Sequence, residues 1–227
     1  MSINIKVYLE IIKELKEKNV QLVAVSKTKP VEDIQQLYNL GQRDFGENYV
    51  QELVDKQPRL PQDIRWHFIG HLQSNKVKFI IPFVYLIHGV DSLKLLKEIN
   101  KQAAKHQREV DCLLQVHIAE EETKFGFDEQ ELQELVNTNL KELHELKNVR
   151  VCGLMGMASF SDDENKVRAE YKNLKKLFDK FSQLLTTNHK LQTLSMGMSG
   201  DYKIAIEEGS TMVRVGSLIF GERNYSG

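Results

Sequence analysis

Cysteine is almost missing from this chain: its 227 residues hold two, Cys112 and Cys152, and no CxxC pair. That excludes a disulfide scaffold, argues against a thiolate zinc site, and points to a reducing compartment. A charge excess of either sign is missing as well. Lys and Arg number 31 against 32 Asp and Glu, a net charge of -1. Nucleic-acid binders draw affinity from a strong basic excess, so a dedicated one is not expected. Long hydrophobic runs are also missing. The most apolar stretch, Phe79–Ile87, is interrupted by Pro82 and is far shorter than the roughly 20 residues a membrane span needs. The opening MSINIKVYLEIIKEL has neither an apolar signal core nor a small-residue cleavage site, so a cytoplasmic protein is expected. What is present is ordinary globular material, 41% hydrophobic and 28% charged. A chain of this length can bury on the order of 70% of its unfolded surface, enough for a core without staples.

Apolar runs alternate with helical stretches along the whole chain. Ile5, Tyr8, Leu9, Ile12 and Leu15 share one face of an opening helix that Ser2 can cap. Eight strand-like runs follow: Leu22–Val25, Arg43–Phe45, Trp66–Ile69, Tyr85–His88, Cys112–Ile118, Val149–Met155, Leu191–Met196 and Met212–Val215. Between them lie helices. One starts at Pro30 and stops at Gly41, and a short one lies near Lys76. Asp91 and Asp128 are expected caps of two more, the second breaking near Asn137 or Asn139. A capping box at Ser161 and Glu164 is expected to open a long helix through Leu185. This rhythm predicts a parallel sheet: one (β/α)8 barrel domain over 1–227, with a doubly wound open sheet as the alternative. Only a short tail follows the eighth strand, and the extra N-terminal helix is expected to cover the gap it leaves.

Barrel chemistry gathers at the C-terminal ends of strands. Lys27 directly follows an apolar strand. Desolvation there favours a neutral amine, the form that attacks a carbonyl to give a Schiff base. After strands seven and eight come Ser195-Met196-Gly197-Met198-Ser199-Gly200-Asp201 and Arg214-Val215-Gly216-Ser217. Gly/Ser loops at these two ends, followed by helix starts, suit a phosphate. Asp201 must then point away or serve only the helix start. A Schiff-base lysine with a phosphate cup fits pyridoxal 5′-phosphate (PLP), and it equally fits an aldolase acting on a phosphorylated sugar. His67 and His71 are spaced by four but straddle a strand end, with no HExxH, so a metal site is not expected. Glu120 to Glu122 form a solvated run. Met155, Met157, Met196, Met198 and Trp66 are expected as lining or core.

Several strings resemble those of the pyridoxal phosphate homeostasis (YggS/PROSC) family. They are VSKTKP (25–30), FGENYVQE (45–52), WHFIGHLQSNK (66–76), GLM (153–155), LSMGMS (194–199) and VRVGS (213–217) with Phe220-Gly221. The resemblance spans nearly the whole chain. It implies a barrel like the alanine racemase N-terminal domain, with Lys27 as the Schiff-base lysine. It further implies that Ser199, Gly216 and Ser217 contact the phosphate and that Arg214 faces the pyridine nitrogen. Asn48 and His67 match motif positions near the ring, and Lys124 matches a second lysine near the site. Gly200 and Lys203 depart from the pattern and alter the charge beside the cup. The implied role is a PLP carrier and buffer without established catalysis, with apo PLP enzymes as recipients; because a barrel closes its own sheet, a monomer is expected. A narrow-scope PLP racemase or lyase and a cofactor-free interaction protein are the alternatives.

Overall fold

The computed structural model describes residues 3–119, 125–137, 140–185 and 189–221. Ser2, the acidic run at 120–122, Lys124 and Asn139 lie outside these residues. Eight parallel strands close into a barrel in sequence order, with the last paired to the first. They are β1 (Gln21–Val25), β2 (Asp44–Glu47), β3 (Arg65–Phe68), β4 (Leu86–Val90), β5 (Val110–Val116), β6 (Val149–Gly156), β7 (Thr193–Ser195) and β8 (Met212–Val215). The open-sheet alternative is thereby excluded. Around them run α1 (Ile5–Glu17), α2 (Val31–Asn39), α3 (Val50–Lys56), α4 (Val77–Ile80), α5 (Leu93–Lys105), α6 (Glu129–Asn137), α7 (Leu140–Glu145), α8 (Glu164–Ser182), α9 (Tyr202–Glu207) and α10 (Ser217–Phe220). None of the described helices is long and apolar enough to cross a membrane.

Strand side chains alternate between two cores, because successive residues point to opposite faces of a sheet. Outward positions such as Leu22, Ala24, Phe45, Trp66, Phe68, Ile87, Leu154, Leu194 and Val213 join the helices in one large core. Inward positions form a small second core of Val23, Leu86, Leu113, Met155 and Met212. The opening helix covers the barrel beside α10. α1 packs against α10 and β1, and the Asn4 amide donates to the Ile219 carbonyl at 2.7 Å.

Two expected caps are displaced. Asn4 caps α1 by accepting the Val7 amide. Ser92, not Asp91, caps α5 by accepting the Leu95 amide, while Asp91 pairs with His71 at 3.1 Å. Asp163, not Ser161, caps α8 by accepting the Asn165 and Lys166 amides, and Ser161 accepts the Asp163 amide one step earlier. Asp128 does open α6, through a reciprocal pair with Glu131. β5 ends at Val116, short of Ile118, because His117 turns away to donate its amide to the Phe127 carbonyl.

Candidate functional site

The C-terminal ends of β1, β2, β7 and β8 surround a cavity of about 390 Å³, within the range of small-molecule sites. Lys27, Asn48, Ser199, Arg214, Gly216 and Ser217 all line it. A second cavity of about 520 Å³ lies at the opposite end of the barrel. Within it Arg150 pairs with Asp111 and reaches Glu109, and Lys147 and Lys190 also line it.

Lys27 sits in the turn after β1, half-buried. The turn is strained and clamped. Thr28 has φ 62°, a left-handed conformation that β-branched residues avoid. Its amide donates to Glu52 Oε1 at 2.6 Å. That carboxylate also meets Lys56 Nζ, which in turn bonds Glu47 Oε1 and the Ser26 carbonyl. Ser26 Oγ donates to Glu47 Oε1 at 2.7 Å. Glu47 is fully buried, and burial pushes its carboxyl up to about 7 against the opposing pull of Lys56. The lysine loop is therefore held from behind by a buried ionic cluster on α3 and β2.

Across the cavity, two loops are tied together. The Gly216 amide donates to Ser199 Oγ at 3.1 Å. Gly216 and Ser217 begin α10, where first-turn amides have no partner in their own helix. Asp201 supports the loop, as a carboxylate near a phosphate must: its Oδ1 accepts the Met198 amide at 2.6 Å. Gly200 is exposed, and Lys203 lies over the Tyr202 ring rather than in the cavity wall. Arg214 is 4% exposed and donates to the Ser195 carbonyl, to Ser195 Oγ and to the Gly156 carbonyl. Burial lowers its guanidinium, partly offset by Tyr171 and Asp201. No carboxylate among the described residues forms an ion pair with it.

Whether these residues suit a flat phosphorylated aldehyde can be tested on two features. Asn48 Oδ1 is buried without a hydrogen-bond partner, an acceptor left open in the cavity wall. A side chain at Gly216 would place its Cβ 3.1 Å from the Val25 carbonyl oxygen, so the loop keeps its backbone bare toward the cavity. The donor set therefore fits: one amine, one guanidinium, and a hydroxyl-and-amide cup.

His67 does not join them. β3 turns its side chain into the barrel interior beneath the cavity, where it bonds Asp44 and His88. His71 leaves in another direction, exposed and stacked on Phe125 with ring centroids 4.0 Å apart. Lys124 lies outside the described residues. Met157 and Met198 line the cavity, whereas Trp66 and Met196 belong to the outer core. The sequence reading missed the working surroundings of Lys29, whose Nζ donates to the Phe220 and Gly221 carbonyls on the cavity rim. It also missed His88, and it read Ser195 only as part of the loop after β7. Their inward parity on β4 and β7 was the available signal.

Comparison with known proteins identifies the family of the chain. Residues 4–224 match the family of the alanine racemase N-terminal domain. A pyridoxal phosphate homeostasis protein of Aquifex aeolicus is 44% identical over 206 residues, 90% of this chain and 88% of the relative. The corresponding Escherichia coli protein is 38% identical, over 91% and 87%. PipY of Synechococcus elongatus, solved with PLP bound, superposes with a TM-score of 0.82 at 34% identity, covering 93% of this chain and 99% of that one. Alanine racemase of Clostridium difficile shares the barrel alone, with a TM-score of 0.74 at 18% identity over 58% of its length. The chain belongs to the pyridoxal phosphate homeostasis protein family, built on the barrel of the alanine racemase N-terminal domain.

Proposed function

We propose that this chain binds PLP reversibly through Lys27 and holds it for other proteins rather than catalysing a reaction with it. One observation carries the reading: Lys27, Arg214 and the tied Ser199–Gly216–Ser217 loops face a single cavity of cofactor size. When bound, the group supplies an aldehyde that Lys27 can take up and a competing amine can reclaim. The Ser199 hydroxyl and the Ser217 amide bind the phosphate as neutral donors, and the Gly216 amide, donating to Ser199 Oγ, holds that hydroxyl at the contact. Asn48 Oδ1 accepts from a donor on the ring. Arg214 faces the ring nitrogen. A guanidinium can only donate, so the nitrogen must accept and stay unprotonated, which weakens the ring as an electron sink.

The proton carriers lining the cavity support a holder. Lys29 donates to two carbonyls, and Asp201 accepts a backbone amide. A racemase needs acid/base groups on both faces of the substrate carbon, and Lys27 serves one face. The recipients are apo PLP enzymes, and no membrane or nucleic acid takes part. The holder works in the cytoplasm, where Cys112 and Cys152 stay as thiols. It is a monomer, because a closed barrel leaves no sheet edge to pair. Scattering at micromolar concentration should give a mass near 26.3 kDa, and twice that value would contradict it.

The functional test is incubation of the PLP-loaded protein with L-amino acids and, separately, with an apo PLP enzyme. The account expects no racemised, decarboxylated or deaminated product, and restored activity of the recipient. Turnover of about 1 per second or faster, lost in Lys27→Ala, would overturn the holder and establish an enzyme.

A further inference from the structure

The barrel interior contains a row of polar side chains of which cofactor binding as described above uses only Arg214. β2, β3, β4, β7 and β8 contribute Asp44, His67, His88, Ser195 and Arg214 in turn, all buried, beside the inner core of Val23, Leu86, Leu113, Met155 and Met212. Their contacts form an unbroken path. Arg214 Nη1 lies 2.6 Å from Ser195 Oγ, and Ser195 Oγ lies 3.1 Å from His88 Nδ1. His88 Nε2 is 3.0 Å from His67 Nδ1, and His67 Nε2 is 2.9 Å from Asp44 Oδ1. Beyond Asp44, Arg65 grips both carboxylate oxygens and reaches solvent at the far end of the barrel.

With both imidazoles neutral, the two ends decide the direction of every bond between them. Arg214 can only donate, and an ionised Asp44 can only accept. Ser195 Oγ therefore accepts from Arg214 and turns its own hydrogen to His88 Nδ1. That nitrogen must be bare, so His88 carries its proton on Nε2 and donates to His67 Nδ1. His67 in turn carries its proton on Nε2 and donates to Asp44. Four bonds run in one sense, with both imidazoles neutral. A proton added to His67 Nδ1 would set N–H against N–H across 3.0 Å.

The surroundings agree with this assignment. Tyr85, Arg65 and Asp44 face His67, while Arg214 faces His88. Burial lowers His67 despite the pull of Asp44. Burial, with His67 and Arg214 adding to it, lowers His88 well below the ordinary imidazole range. Asp44 stays ionised: burial alone would raise it, but hydrogen bonds from Arg65 and His67 outweigh that and hold it far below the usual carboxylate range.

We infer that Asp44, His67, His88 and Ser195 form a directional relay that positions Arg214 for the bound cofactor. Three donor contacts of the guanidinium go to Ser195 and Gly156 oxygens, leaving the remainder of its five N–H groups for the cavity it lines. Polar groups buried among Val23, Leu86 and Met155 are costly where an apolar core would serve. Orientation of Arg214 is what they provide. The inference rests on the proposed placing of PLP against Arg214.

The test separates the two claims. In the cofactor-free protein labelled with ¹⁵N-histidine, the ring nitrogens of residues 67 and 88, assigned with His67→Gln and His88→Gln, should read as neutral Nε2–H forms from pH 6 to 8. Ser195→Ala should shift His88 Nδ1 toward a nitrogen without a hydrogen bond and leave His67 Nε2 bonded. The same variant should bind PLP about ten-fold more weakly, the loss expected for one hydrogen bond to a charged group, and should move the absorption maximum of the loaded protein. Asp44→Asn, remote from the cavity, should move the absorption maximum too. An Nδ1–H or doubly protonated ring at either position in the wild type overturns the direction. Wild-type affinity and absorption in both folded variants overturn the positioning role. A wild type that takes up no PLP overturns the proposed function, while the ring nitrogens still report the relay on their own.

Discussion

Placing an acidic side chain at Gly216 tests the phosphate cup where its two loops are tied together. The alanine control comes first. Its Cβ would sit 3.1 Å from the Val25 carbonyl oxygen and 3.2 Å from Val25 Cβ, so the loop must yield by a few tenths of an ångström. Such a shift loosens the Gly216–Ser199 bond without adding charge, and Gly216→Ala should weaken PLP binding a few-fold. Gly216→Asp adds a carboxylate against the phosphate. Losing one charge-assisted hydrogen bond costs about 1.5–3 kcal/mol, which is already about ten-fold or more in affinity. Two like unit charges about 4 Å apart repel by about 4 kcal/mol at an effective dielectric near 20, before screening by solvent at the partly open rim. Together these place Gly216→Asp at about a hundred-fold loss or worse. Titration of the apo protein with PLP, followed by absorbance, measures both variants, and melting curves confirm that they fold. Equal losses for alanine and aspartate would show that the phosphate lies elsewhere. Wild-type affinity in folded Gly216→Asp would remove the β8 loop from the site.

Two further outcomes follow from the packing behind the site. Glu47 binds its proton more tightly when folded, near pH 7 against an ordinary 4.5. Wild-type stability should therefore fall as pH rises through that window and level off above it, by at most about 3 kcal/mol. Glu47→Gln should remove this slope in denaturant titrations run from pH 4.5 to 8, and parallel curves for the two proteins would refute the raised carboxyl. A Cβ at Gly153 would lie 1.8 Å from the Thr193 carbonyl oxygen, a backbone atom that cannot move aside. Gly153→Ala should cost about 3 kcal/mol or more and lower the melting temperature by roughly 10 °C. An unchanged melting temperature would refute the close approach of β6 and β7.

The eight-strand rhythm was legible because most of the parallel strands are short apolar runs ended by a glycine, a cap or a charged residue, β2 (Asp44–Glu47) being the exception. Leu22–Val25, followed by Ser26-Lys27, shows both a strand and the functional end of it. The cup was legible because its two loops each lie within a few residues of a strand end. Caps were less so, since Asp91 and Ser92, or Ser161 and Asp163, offer equivalent oxygens and only the entry angle of the chain selects one. The direction of His67 was readable in part: with Trp66 outside, parity turns His67 inward. Its depth below the cavity depends on Asp44 and His88, each more than 20 residues away in sequence. The Lys29 contacts join residues 191 and 192 positions apart, a link that local pattern cannot carry.

The central claim is that Lys27 holds the cofactor. Borohydride reduction of the freshly loaded wild-type protein, followed by peptide mapping, tests it most directly. The account predicts a pyridoxyl mass on Lys27 and loss of the visible absorbance in Lys27→Ala. A label on Lys29 or Lys124 in the wild type, with Lys27 unmodified, would contradict it.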